Sequence, residues 1–147
     1  MAVSQRTIAG LIPHGGTMCL LHEVLHMDEE SITCRAVSHR DPDHPLREEG
    51  MLPALSGIEY AAQAMAVHGG LIRAVRQRPR TGLLVSVRDM ETRVEYLSDY
   101  PDDLLIEAEQ LVSAGNSVTY AFHVKAGTQE LLSGRAMVVL DAEANGS

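Results

Sequence analysis

The chain has no tryptophan, a single phenylalanine and four tyrosines. So few flat rings exclude an aromatic platform on which nucleic-acid bases would stack. Basic residues are also outnumbered, and the formal charge of −8 disfavours nonspecific binding to phosphate backbones. Cysteine is scarce. Cys19 and Cys34 are the only two, with no CxxC spacing and no disulfide framework, so free thiols in a reducing cytoplasm are expected. No apolar run is long enough to span a membrane, and the first residues lack a signal-peptide pattern. Repeats and low-complexity segments are absent; the tail Ala142–Ser147 reads as disordered, leaving residues 1–141 as one domain.

What is present is strand-rich, with one long helix. Ser4–Leu11 is compatible with a short helix, followed by a loop through Pro13-His14-Gly15-Gly16. Leu21–Met27 and Ser31–Ser38 read as a hairpin turning at Asp28-Glu29-Glu30. His39–Leu52 is a polar loop. The main helix runs from about Pro53 to about Arg76: proline suits a first turn, Gly69-Gly70 weaken the end, and Pro79 forbids continuation. Leu83–Tyr96, Leu104–Ser113, Val118–Lys125 and Leu131–Leu140 have strand character, and the last three should form an antiparallel meander. Only one helix is long and apolar enough to cover the sheet. The expected architecture is α+β: a curved antiparallel sheet wrapped around a central helix.

The most informative stretch is Leu52-Pro53-Ala54-Leu55-Ser56-Gly57-Ile58-Glu59-Tyr60-Ala61-Ala62-Gln63. A helix this rich in apolar and small residues is buried on most sides. Glu59 sits within it, with Gln63 one turn later on the same face. A buried carboxylate needs a reason, because desolvation is costly. It could cap a loop's N–H groups, pair with an arginine, or do chemistry. Gln63 fits a structural bond to loop backbone. His44, in Asp43-His44-Pro45, could be plain turn chemistry. His68 falls on the helix face opposite Glu59 and suits an interface or a cap. His22, His26 and His123 are scattered on strands with no carboxylate or cysteine cluster to complete a metal site.

Three stretches carry a family resemblance. Pro13-His14, then Leu20, Leu21 and Val24, is similar to the N-terminal proline-histidine segment of the hotdog-fold 3-hydroxyacyl-(acyl carrier protein) dehydratases. Pro53 to Glu59, then Ala62-Gln63, resembles their central-helix motif, and Pro101-Asp102-Asp103-Leu104 resembles their turn before the long strands. His44-Pro45-Leu46-Arg47 and the run from Ile58 to Gly69 look closer to a divergent branch associated with aryl polyene pigments. His44 lies one residue further from Pro53 than the family spacing, and Ala54 stands where the family has glycine.

The resemblance implies a hotdog fold and dehydration of a 3-hydroxyacyl thioester. His44 would take the C2 proton, and Glu59, kept protonated by apolar surroundings, would protonate the 3-hydroxyl. The helix N-terminus offers donors for the thioester oxygen, with the Ala54 N–H after Pro53 as candidate. Gln63 and His14 would support the site. No metal or redox cofactor is needed, since the substrate arrives on the carrier's phosphopantetheine. Arg73, Arg76, Arg78 and Arg80 form a local basic patch that would attract an acidic carrier, or simply complement the helix C-terminus. A homodimer, or a pair with a related hotdog subunit, follows from the family, with the acid lent across the interface. A thioesterase using Glu59 and a catalytically silent subunit complementing an active partner are the alternatives.

Overall fold

In the computed structural model, residues 3–4, 19–75 and 82–140 are described. The expected tail Ala142–Ser147, the segment 5–18 and the helix exit 76–81 lie outside them.

Among the described residues seven strands form one antiparallel sheet: β1 (Val3–Ser4), β2 (Glu23–Met27), β3 (Ser31–Ala36), β4 (Gly82–Thr92), β5 (Leu104–Ala114), β6 (Ser117–Ala126) and β7 (Gln129–Leu140). Their order is β1-β2-β3-β5-β6-β7-β4. Among the described residues one long helix, α1 (Gly57–Val75), lies against β3, β5 and β6. This is the hotdog arrangement, with α+β character as expected. Strand alternation is cleanest in β6. There Val118, Tyr120, Phe122, Val124 and Ala126 are buried while the residues between them are partly exposed, the two-residue period of a sheet with one face on a core. From α1, Tyr60, Ala61, Ala64, Met65 and Val67 meet this face. Small residues there let the helix lie close. At Gly57 a Cβ would collide with Leu132 Cδ2 of β7 and reach Val124 of β6.

The turns carry their own chemistry. Asp28 Oδ1 accepts from the N–H of Glu30, the N–H of Ser31 and the Ser31 hydroxyl, closing the β2–β3 hairpin. Gly115 and Gly127 take positive φ (both +60°) between β5, β6 and β7, which a side chain would resist.

The helix start is set by long-range pairing. Pro53 is extended (φ −61°, ψ 150°) and precedes a 3₁₀ turn at Ala54–Ser56 that runs into α1. Ala54 N–H donates to Glu95 O (3.0 Å) and Leu97 N–H to Leu52 O (2.8 Å), so this segment pairs with the chain leaving β4. That pairing corrects one sequence boundary: the expected strand to Tyr96 ends at Thr92, because residues 95–97 turn to hold the helix start instead. The short helix expected from Ser4 also differs at its first residue, which belongs to β1.

Candidate active site

The first turns of α1 place Glu59, Tyr60 and Gln63 beside the loop that enters β2. Glu59 is half-buried and Gln63 is buried at 3 % exposure. The Gln63 carboxamide bridges two groups: its Oε1 accepts from Leu20 N–H (2.9 Å) and its Nε2 donates to Glu59 Oε1 (3.3 Å). One end is thus fixed by buried backbone, and the other presents a donor to the carboxyl group.

His44 is buried as well, at 5 % exposure. Its loop is stapled by Arg47, whose guanidinium donates to the carbonyls of Asp41, Gly50 and His39. Glu49 and Gly50 adopt φ of +51° and +80°, and Glu48 and Met51 exchange backbone bonds across them (2.7 and 3.0 Å), the geometry of a tight I′ turn. His44 Nδ1 accepts from Leu46 N–H (3.0 Å). The ring proton therefore sits on Nε2, which donates to Tyr60 Oη (3.0 Å). Burial, then the Arg47 charge, lowers the His44 pKa, with Asp41 opposing, so the neutral ring is the favoured form. Tyr60, fully buried, donates in turn to Ser38 Oγ (2.7 Å). Burial pushes its phenol well above the ordinary range in spite of the Ser38 contact, so it stays protonated. Ser38 donates to Leu20 O (2.7 Å).

His44 is brought onto Tyr60, one helix position after Glu59 and so about 100° around α1. Both its nitrogens are engaged within the protomer. The expected Ala54 donor needs correction, because that N–H is spent on Glu95 O. An open groove of about 730 Å³ flanks the helix start, lined by Glu48, Pro53, Ala54, Leu55 and residues 92–96. Leu55, one turn before Glu59, is 60 % exposed along it.

His14, Arg76, Arg78 and Arg80 lie outside the described residues, and Arg73 is placed only as a backbone position in the last turn of α1. His68 is not at a surface or a cap. It is 2 % exposed, accepts from Tyr120 Oη (2.8 Å) and donates to Asp28 O (2.9 Å), tying α1 to β6 and to the β2–β3 turn. His123 pairs with Glu130 across β6 and β7. Both cysteines are buried thiols, Cys34 pushed up to about 12 by burial. Among the described residues no cluster of histidine, cysteine and acidic side chains could hold a metal, and no helix is long and apolar enough to cross a membrane. Sequence reasoning passed over Tyr60 and Ser38. The available signal was a phenol in the middle of an otherwise apolar helix, since a buried Tyr O–H needs a partner.

Comparison with known proteins agrees with this architecture. No curated protein matches the chain. The ApeI:P dehydratase heterocomplex from Xenorhabdus doucetiae contains a similar chain: TM-score 0.82, 23% identity, covering 93% of this chain and 92% of that one. A mutant thioesterase from Pseudomonas aeruginosa is more distant, with TM-score 0.68 and 10% identity over 95% and 94% of the two chains. A mutant thioesterase from Staphylococcus aureus gives 0.60 and 10% over 80% and 91%. At these identities the likeness concerns the fold. The sequence itself matches the family model described as ApeP-like, ApeP dehydratase, over residues 6–146. The chain belongs to the ApeP-like dehydratase family.

Proposed function

We propose that this protein is a subunit of a dehydratase acting on 3-hydroxyacyl thioesters carried by an acyl carrier protein, with Glu59 as proton donor. The observation that carries this reading is the Glu59–Gln63 pair on the opening turns of α1 in a chain of a dehydratase family. In the reaction a base removes the C2 proton. The C–H electron pair forms the C2=C3 bond, the C3–O bond breaks, and the departing hydroxyl takes the Glu59 proton and leaves as water. Gln63 holds the carboxyl group in place. With the Ala54 N–H spent, the Leu55 N–H, next along the opening turn and beside the groove, is the donor assigned to the thioester oxygen. No metal or redox cofactor enters this chemistry, and the phosphopantetheine arm belongs to the carrier. Arg73, Arg76, Arg78 and Arg80 remain the proposed docking patch. Arg76→Glu with Arg78→Glu should weaken carrier binding and spare turnover of a short pantetheine thioester.

Two sources of the base are open to this chain. His44 is the residue the family resemblance designates, and as base it would first have to free its Nδ1 lone pair from the Leu46 N–H. A second reading, favoured by the engagement of both His44 nitrogens, has this subunit lend Glu59 to a site whose base comes from a partner hotdog subunit. The heterocomplex named for the similar chain supports such pairing. So does the position of β4 at one edge of the sheet. The test is product identity. The purified protein, alone and mixed with a related hotdog subunit, is given a 3-hydroxyacyl carrier thioester and the acyl chain is read by mass spectrometry. Loss of water with the thioester intact supports the proposal, activity only in the mixture supports the second reading, and a free acid with free thiol would replace both with a thioesterase.

A further inference from the structure

Two runs of hydrogen bonds meet at the Leu20 backbone and link His44 to the Glu59–Gln63 pair, and the proposed dehydration gives no role to their middle members, Tyr60, Ser38 and Leu20. The first starts at Leu46 N–H, which donates to His44 Nδ1; His44 Nε2 donates to Tyr60, Tyr60 to Ser38, and Ser38 to Leu20 O. On the other side of the same residue, Leu20 N–H donates to Gln63 Oε1, and Gln63 Nε2 donates to Glu59. Every link runs in a consistent donor sense. The sequence separations are long, 43 positions for Leu20 to Gln63 and 16 for His44 to Tyr60, so only the folded chain assembles them.

We propose that Ser38, Tyr60 and His44 are positioning residues: by holding the Leu20 carbonyl they place the Leu20 backbone, whose N–H dictates which way the Gln63 carboxamide faces, and so where the Glu59 carboxyl group points. The role in turnover rests on the reading of Glu59 as proton donor; the geometric coupling does not. A free carboxamide can turn over and exchange its oxygen for its nitrogen. Here it is held, because Leu20 is 1 % exposed and its N–H has Gln63 Oε1 as acceptor. Turning Gln63 over would set two donors against each other and leave a buried N–H without a partner. The constraint is only as good as the placement of Leu20, and Ser38 sets that through the carbonyl. Tyr60 fixes the Ser38 hydroxyl, and neutral His44 supplies the donor that fixes Tyr60. Protons need not flow along this chain. It works by geometry, where a displacement of about 1 Å can cost up to a hundredfold in rate.

The test compares Ser38→Ala, Ser38→Thr and a core control, Val118→Ala. Val118 lies six positions along β6 from Val124, the residue beside the helix start, or about 20 Å away at strand rise. The first readout needs no activity. In the wild type the Gln63 carboxamide proton signals should move in an NMR pH titration, through the bond to the Glu59 carboxyl group. Ser38→Ala should abolish that response, Ser38→Thr should restore it by returning a hydroxyl, and Val118→Ala should keep it. In the carrier-thioester assay Ser38→Ala should lower kcat about tenfold or more, with KM nearly unchanged. If Ser38→Ala does not fold, Tyr60→Phe takes its place with the same expectations. A wild-type Gln63 response in Ser38→Ala, or an equal loss in Val118→Ala, overturns the proposal. A wild type that turns over no substrate, alone or with a partner subunit, overturns the dehydratase reading and leaves the Gln63 response to decide this one.

Discussion

Removing one oxygen atom from the core should cost this protein a measurable part of its stability. In Tyr60→Phe the ring keeps its place among the buried residues of α1, but Oη is gone. His44 Nε2–H then points into the interior without its acceptor, and Ser38 Oγ loses its donor. A buried donor left without a partner costs about 1–3 kcal/mol. At about 2–4 °C per kcal/mol for a chain of this size, the midpoint of thermal unfolding falls by about 2–12 °C. The pair should also be strongly coupled. His44→Leu alone leaves the Leu46 N–H without its acceptor and Tyr60 Oη without its donor, whereas His44→Leu with Tyr60→Phe leaves only the Leu46 N–H and Ser38 Oγ, fewer groups than the two single variants strand between them. The double variant should therefore be less destabilised than the sum of the singles by about 1 kcal/mol or more. Urea unfolding with unchanged m values measures all four corners of this cycle. A Tyr60→Phe protein within about 0.5 kcal/mol of wild type, or a strictly additive cycle, would refute the hydrogen-bond chain as drawn.

Gly57→Ala should destabilise: overpacking against the buried Leu132 costs about 1–3 kcal/mol, more than the helix propensity gained, up to about 1 kcal/mol; equal or higher urea resistance would show that the helix has room to move off β7. Mild acid should destabilise too. His39 and His44 are buried, and burial is the first cause lowering both pKa values below the ordinary 6.5. Their contribution is complete above that value and is lost as pH falls through the lower folded values, at up to about 1.4 kcal/mol per pH unit for each ring. Asp103, held low by its bond to Arg35, and Glu130, held low by His123, add their losses only further down, below the ordinary carboxylate values. Urea midpoints that stay level from pH 7 to 5 would contradict the buried neutral histidines.

Local pattern made much of this fold readable. The alternation of Val118, Tyr120, Phe122 and Val124 is a period-two signal that nothing else in the chain opposes. Pro53 marks the helix start within one turn, because a missing N–H costs nothing there. Glu59 stands out as a carboxylate in an apolar helix, and Gln63 as its neighbour one turn on. What stayed hidden depends on residues far apart in sequence. The Ala54 N–H looks free from the helix motif alone, and only the return of residues 95–97 to the helix start reveals that it is taken. The place of His44 could not be read from its loop either. It is set by Tyr60 and by Arg47 stapling three carbonyls of residues 39–50. Ser38 looked like a strand end, and its role emerges only once Leu20 and Tyr60 converge on it.

The central claim is that one side chain, Glu59, supplies the proton that carries the hydroxyl away. Glu59→Gln tests it most directly, because the amide oxygen still accepts from Gln63 while the group can no longer exchange a proton at working pH. Glu59→Gln should fold with wild-type stability within about 0.5 kcal/mol, bind the carrier thioester, and form enoyl product at least about a hundredfold more slowly. A folded Glu59→Gln protein that makes enoyl thioester at the wild-type rate would contradict the account.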